Sequence, residues 1–316
     1  MNVGVTDLAA PLTVEPIAAD VAGGADLELL RAEFRALGQV VVAFSGGADS
    51  AFVAKVATDT LGAERVLCVT AVSPSLAPEE LADCRALAVE LGLRYLEVAT
   101  DELADPAYSA NDGSRCYHCK SSLMAALGPV ADAVADAAGP TATVVLGVNL
   151  DDLGDHRPGQ AAAAERGAVF PLVTAGFTKA DVRAWSRTLG LRTWDKPAAA
   201  CLASRVPYGT RVTFSTLDAV ARAESGLRSL GFRQLRVRHY DDVARIEVPA
   251  DELARVIDQR EAVSAAVHAA GYRYVTLDLD GFRSGNLNDA LATAGAAAPD
   301  GADVPTDDTK TTEAHA

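Results

Sequence analysis

The run QVVVAF, residues 39 to 44, leads without a break into SGGADS and then into the helical AFVAKVATDTLG. A short apolar β-branched segment that hands the chain straight to a helix is the opening half of a strand–helix–strand unit. The pattern recurs. RVLCVTAV reads as a buried strand, APEELADCRALAVELG as a helix with proline near its start and glycine at its end, and RYLEVAT as another strand. An irregular segment holding RCYHCK follows, then a helix from about Ser121 to Ala138 and the strand TVVLGV. Strands that alternate with helices at this spacing predict a doubly wound α/β fold with a parallel sheet, and such sheets take ligands at the carboxyl ends of their strands.

Beyond KPAAACLASRVPYG the rhythm changes. Residues 215–230 read as a helix, QLRVRHY and VARIEV as two strands joined through two aspartates, DELARVIDQREAVSAAVHAAG as one long helix, and YRYVTLDL as a closing strand. The expected organisation is therefore a tail over 1–25, an α/β domain over 26–209, a smaller α+β domain over 210–289 and an acidic tail over 290–316. The 316 residues suffice for two such cores.

Charge narrows the function classes. A net charge of −15 argues against a nucleic-acid partner, which a protein grips by neutralising phosphates with basic patches. The acidity is concentrated in part at the ends, where residues 1–26 carry no base and the last 24 residues set five acids against Lys310. No run approaches the roughly 18 apolar residues of a membrane span. The first thirty residues hold no Lys or Arg, so a secretory leader is not expected and the cytoplasm is the default compartment. Five cysteines, an odd number, do not suggest a disulfide framework and remain available for metal or chemistry.

In SGGADS the glycines let the backbone curl close to a ligand, and the helix amides with Ser45 and Ser50 face an anion. The lysine of the G-x-x-x-x-G-K-[ST] loop is missing, so terminal phosphoryl transfer is not indicated. SGGxDS resembles the PP-loop of the ATP pyrophosphatases, which bind the β,γ-pyrophosphate while a substrate oxygen attacks the α-phosphorus to form an adenylate. That resemblance assigns pyrophosphate to Ser45, Gly46, Gly47 and Ser50, and Mg²⁺ to Asp49. A second loop, GVNLDDLGDHRPG, gathers Asp151, Asp152, Asp155, His156 and Arg157 after a strand, and beside such a loop reads as part of the same site.

Taken with NDGSRCYHCK, FPLVTAGFTKADVRAWSRTLG, KPAAACLASRVPYG, LRVRHYDDVARIEV and GFRSGNLN, the chain from about Leu27 to Asn288 resembles the LarE family. These are ATP-dependent sulfur transferases that mature the nickel-pincer cofactor of lactate racemase. The resemblance implies adenylation of a pyridinium-3,5-biscarboxylic acid mononucleotide and its conversion to thiocarboxylates. It also implies homo-oligomers and companion carboxylase and nickel-insertion proteins.

Family members with one cysteine at the position of Cys201 give up its sulfur and are left with dehydroalanine. This chain adds Cys116 and Cys119, and a three-cysteine set in the family implies a [4Fe-4S] cluster that delivers sulfur. A structural zinc site or a thiol role are the alternatives for the C-x-x-C pair, with His118 badly placed as a ligand. Arg115 and Asp152 are assigned by resemblance to ATP. Arg205, Arg236, Arg238, Glu224 and Glu247 are assigned to substrate and its phosphate, with Arg205 also placed to favour a thiolate. For Arg236 and Arg238, which share a strand face, a solvated surface is the competing reading. Cys68 and Cys84 read as core, and His239, His268, Trp185 and Trp194 as structural. The rival activities are a PP-loop tRNA thiolase and an amide-forming ligase of the NAD or GMP synthetase kind.

Overall fold

The computed structural model describes residues 24–135, 141–154 and 158–283. The first predicted tail up to residue 23, the whole of the second, the SGNLN end of GFRSGNLN, and Asp155, His156 and Arg157 lie outside the described residues.

In chain order the elements are α1 (Leu27–Leu37), β1 (Val40–Ala43), α2 (Ala48–Leu61), β2 (Val66–Val72), α3 (Pro78–Glu90), β3 (Tyr95–Ala99), α4 (Pro106–Ala110), α5 (Arg115–Val134), β4 (Thr143–Val145), α6 (Pro158–Glu165), α7 (Pro171–Thr174), α8 (Lys179–Thr188), α9 (Phe214–Ser229), β5 (Arg236–Tyr240), β6 (Val243–Glu247), α10 (Leu253–Asp258), α11 (Arg260–Ala269) and β7 (Tyr274–Leu277). They fall into two compact units. One takes in the described residues through Ser73, then Pro78–Asp101 and Cys119–Ala199. The other comprises Pro74–Ala77, Glu102–His118 and the described residues from Ala200 onward, so the boundary passes through α5.

The first unit holds a parallel sheet in the order β3-β2-β1-β4. Side chains alternate across it, as the period of two in a strand requires. Val40 and Val42 join one apolar cluster with Leu30, Phe34, Phe52, Val56 and Val182, whereas Val41 joins another with Met124, Leu127 and Ala163. Helices thus cover both faces, the doubly wound arrangement the sequence predicts. After β3 the next strand, β4, pairs on the far side of β1, and this reversal opens a crevice at the carboxyl ends of β1 and β4. Cys68 and Cys84 are core residues, as expected. Trp185 packs against the first cluster and donates its indole N–H to the Ala25 carbonyl. Trp194 instead is partly exposed, with the Arg187 guanidinium over its ring.

The second unit carries a three-stranded sheet, β5-β6-β7, with β5 and β6 antiparallel and β6 and β7 parallel. The two aspartates do form the β5–β6 turn, Asp241 taking a positive φ of 51°. His239 and His268 bond Tyr272 through its hydroxyl and carbonyl, a structural use of both.

Two elements differ from the sequence reading. The stretch read as one helix over 251–271 is broken at Gln259, which ends α10 and begins α11; Arg255, one turn earlier, is bound to the Leu230 carbonyl and stacked on Phe232. The RCYHCK segment, read as irregular, is the start of α5. The polar NDGS ahead of it looks like loop but acts as punctuation. Asn111 closes α4 in the left-handed conformation, and the Asp112 carboxylate accepts from the Ser114 N–H and hydroxyl at 2.8 and 2.6 Å just before α5 begins.

Candidate functional site

At the crevice of the first unit, β1 runs out into Phe44, which is locked from both sides: its N–H donates to the Val69 carbonyl and its carbonyl accepts from the Thr70 hydroxyl at 2.6 Å. The chain then turns at Gly46, whose φ of +67° suits glycine and whose missing Cβ would sit 2.8 Å from the Cys84 Sγ. Gly47 caps α2 without any side-chain bond, so the first amides of that helix are left for an outside acceptor. Ser45 and Ser50 stand together, hydroxyl to hydroxyl at 3.1 Å, and Ser50 also donates to the Gly47 carbonyl.

The loop after β4 closes the other side. A Cβ on Gly147 would lie 2.9 Å from the carbonyl carbon of Asp49 and from the Ser50 nitrogen, so only glycine lets this strand end approach the start of α2. Two residues on, the fully buried Asn149 donates its side-chain amide to Asp49 Oδ1 at 2.9 Å. Asp152 accepts from the Asn149 N–H at 3.2 Å, and Asp151 accepts from the Lys179 N–H at 2.6 Å at the head of α8. Burial pushes the Asp49 carboxyl above its ordinary value; the Asn149 bond and the Lys179 charge act against this, and Asp152 adds to it. Ser45, Gly46, Gly47, Asp49, Ser50 and Asp152 are therefore brought together where the sequence places them.

In the second unit Arg115 is buried and donates to the Asn111 side-chain carbonyl and, at 2.9 Å, to the Ala203 carbonyl. Its guanidinium also lies over the Tyr208 ring at 5.4 Å. Burial opposes its charge, but the Cys201 and Cys116 thiols, with Tyr208 and Tyr108, outweigh that and hold it above the usual guanidinium value. Arg115, which the resemblance assigns to ATP, is thus the cation of the thiol region. Arg205, placed by sequence beside the thiolate, is committed elsewhere: it makes a two-pronged bond to Glu224 at 2.8 and 3.1 Å and donates to the Ala200 and Cys201 carbonyls. It shapes the backbone that carries Cys201. Arg238 makes the same fork with Glu247 at 2.9 and 3.0 Å and donates to the Ser204 carbonyl.

Arg236 and Arg238 are buried, so the solvated-face reading is wrong: the strand face they share is turned inward. Glu224 serves Arg205 and Arg228, and Glu247 serves Arg238 and Arg245. Arg236 is left without a carboxylate partner among the described residues. It lies over the Phe282 ring at 4.5 Å, and burial together with the charges of Arg238 and Arg205 holds it below its ordinary value.

Cys116, Cys119 and Cys201 form no disulfide; the first and last are exposed and Cys119 is half-buried. Cys116 and Cys119 are one turn apart on α5 and share a face. Among the described residues no three His, Cys, Asp or Glu side chains are gathered as a metal-binding group. His118 is bound through Nδ1 to the Asp105 carboxylate at 2.8 Å. No described helix is long and apolar enough to cross a membrane.

Gly147, Asn149, Lys179 and Lys196 are missed by the sequence reading. The first two sit in the quoted GVN of the second loop, where a glycine directly after a strand is itself a sign of close backbone approach. Lys179 follows Thr178, the residue that caps α8, and Lys196 opens KPAAAC; no local signal marks either as facing the phosphate loop.

Comparison with known proteins agrees with this geometry. Residues 29–120 match the family model described as NAD synthase. An uncharacterised protein of Synechocystis is 47% identical over 84% of this chain and 97% of its own length. The pyridinium-3,5-bisthiocarboxylic acid mononucleotide synthase of Lactiplantibacillus plantarum is 40% identical over 84% of this chain and 94% of its own. An uncharacterised protein of Methanocaldococcus jannaschii is 24% identical over 78% of this chain.

Proposed function

Because the chain belongs to the LarE family, that of the Lactiplantibacillus bisthiocarboxylate synthase, we propose that it is the ATP-dependent sulfur transferase acting on pyridinium-3,5-biscarboxylic acid mononucleotide. The observation that carries this reading is the SGGADS loop at the β1/β4 crevice, with Asp49 tied across it to Asn149. The amides at the start of α2 and the Ser45 and Ser50 hydroxyls receive the β,γ-pyrophosphate. Asp49, with Asp152 nearby, offers the oxygen donors that suit Mg²⁺, and burial of an unneutralised Asp49 is the strain a cation relieves. A bound Mg²⁺ would neutralise charge on the phosphates. Lys179 adds a positive charge at the same mouth.

A substrate carboxylate oxygen attacks the α-phosphorus, the bond to pyrophosphate breaks, and an acyl-adenylate results. Carboxylate has only oxide to expel; the adenylate expels AMP when sulfur attacks its carbonyl carbon. Arg236, the one of Arg205, Arg236 and Arg238 with no carboxylate partner among the described residues, takes the phosphate of the mononucleotide, while Arg238 and Arg205, held by Glu247 and Glu224, shape its surroundings.

The sulfur comes from the thiol region. Cys116, Cys119 and Cys201 fit a [4Fe-4S] cluster in donor chemistry: three soft sulfurs in no disulfide, two of them on one helix face, with Arg115 beside Cys201 and Cys116 to offset charge. Such a cluster would supply the transferred sulfur and spare Cys201. In the sacrificial alternative Cys201 forms the thioester, and loss of its α-proton breaks its Cβ–S bond, leaving dehydroalanine and a thiocarboxylate. The carboxylase that makes the substrate and the nickel-inserting protein that takes the product are the partners this implies, and homo-oligomerisation follows the family.

The test is anaerobic assay with ATP, Mg²⁺ and the biscarboxylate, read as AMP, pyrophosphate and thiocarboxylate, beside iron and acid-labile sulfide content of wild type and Cys116→Ala. Multiple turnover with a cluster lost in Cys116→Ala is expected. Iron-free protein that works once and acquires dehydroalanine at Cys201 selects the sacrificial route; absence of AMP and pyrophosphate overturns the proposal.

A further inference from the structure

Lys196 is bound to the backbone of the phosphate loop at its Gly46 carbonyl. Its side chain is only 16% exposed, and its ammonium donates to the Gly46 carbonyl at 3.1 Å, to Glu80 Oε2 at 2.9 Å and to Asp83 Oδ2 at 2.6 Å. All three of its N–H bonds are used. Glu80 and Asp83 sit three apart on one face of α3, and Asp83 is braced in turn by Arg192 at 2.6 Å. The backbone of the lysine is fixed as well, since Arg183 donates to the carbonyls of Trp194 and Lys196. Burial opposes the charge, but Asp83 and Glu80 outweigh it, so the cation persists.

The Gly46 carbonyl belongs to the same planar peptide as the Gly47 N–H, and in a trans peptide the two point in opposite directions. That peptide joins two glycines, and the ψ of Gly46 with the φ of Gly47, both free of Cβ restriction, decides which side each takes. A cation bound to the carbonyl therefore turns the Gly47 N–H away from Lys196, at the N-cap of α2, which makes no side-chain cap bond. It also polarises the peptide and so strengthens that N–H as a donor.

We propose that Lys196 is a positioning residue for pyrophosphate: by gripping the Gly46 carbonyl from an acidic socket on α3, it fixes the loop in its anion-receiving form. It does not touch the anion. The inference rests on the reading of the loop as a pyrophosphate site. It places in a PAAAC-containing segment, five residues before Cys201, a residue that serves the nucleotide rather than the sulfur.

Titration calorimetry of inorganic pyrophosphate with Mg²⁺ into the full chain tests this, with thermal denaturation in parallel. Lys196→Met is expected to weaken pyrophosphate by about tenfold or more, as loss of one charge-assisted bond in the loop would. Lys196→Arg, which keeps a cationic donor, is expected to fall between Met and wild type. Equal affinity in wild type and Lys196→Met, with only the melting temperature lowered, overturns the positioning role and leaves the loop reading intact; so does an Arg variant as weak as Met. Failure of the wild-type chain to bind pyrophosphate overturns the loop reading itself. Should Lys196→Met not fold, Glu80→Gln combined with Asp83→Asn removes the socket while keeping the lysine: weakened pyrophosphate supports the proposal, and unchanged affinity overturns it.

Discussion

Substituting Gly147 by alanine would set a methyl 2.9 Å from the Asp49 carbonyl carbon, 2.9 Å from the Ser50 nitrogen and 3.1 Å from the Asp49 oxygen. All three are backbone atoms at the head of α2, so no side chain can rotate aside. Ordinary carbon contacts lie near 3.5 Å, which means that the strand end and the helix start must part by about half an ångström or more. Overpacking of this kind costs about 1–3 kcal/mol. The larger effect falls on chemistry, because the atoms displaced are the amides and carboxylate proposed above to receive pyrophosphate and Mg²⁺; misplacement near 1 Å costs on the order of a hundredfold in rate. ATP–pyrophosphate exchange on Gly147→Ala should fall by about ten- to a hundredfold, with the melting temperature lower by a few degrees. Gly128→Ala is the control. Nothing lies within 4 Å of its added Cβ, and α5 should be indifferent to it or gain slightly. A Gly147→Ala enzyme with exchange close to wild type would refute the argument that this contact shapes the site.

Asn149→Ala removes the donor that orients Asp49, and the Mg²⁺ concentration for half-maximal exchange is expected to rise about 10- to 100-fold, as for other groups that orient a metal ligand. Glu224→Ala leaves Arg205 buried without its carboxylate and strips the Val237 N–H of its acceptor, so denaturant unfolding should show a loss of about 3–5 kcal/mol. His239 is held below its ordinary value by burial, the Asp241 charge opposing this. Its folded form binds a proton less readily than the unfolded chain, so its contribution is present above the ordinary histidine value of 6.5 and is lost as pH falls through the lowered folded value. The stability difference between pH 7.5 and pH 5 should therefore be smaller in His239→Gln; an unchanged difference would place the acid sensitivity elsewhere.

The sheet and the phosphate loop were legible because they are local: β-branched runs at β1 and β2 and glycines between strand and helix carry their own conformational signal. The start of α5 was not, since Asp112 and Ser114 look the same in a loop as in a cap, and only the bonds they make separate the two. The use of each arginine was equally hidden. Alternation put Arg236 and Arg238 on one face without saying whether that face met water. Proximity in sequence suggested that Arg205 served the Cys201 thiol, while partners farther along the chain, Glu224 for Arg205 and the Ala203 carbonyl for Arg115, decided otherwise. Lys196 bonds Gly46 across 150 residues, a separation no local pattern reports.

β1 is an inner strand, paired along its length with β2 and over three residues with β4. Its amides can exchange with solvent only when pairing on both sides is lost, which puts their opening energy at the upper end for this unit. The phosphate loop hangs directly from that strand and inherits its slow opening. Pro197 to Cys201, by contrast, is exposed and outside helix and strand. In the time domain, deuterium uptake should therefore be slowest in β1 and fastest in the exposed Pro197–Ala199 stretch, which leads into the Ala200 and Cys201 carbonyls held by Arg205.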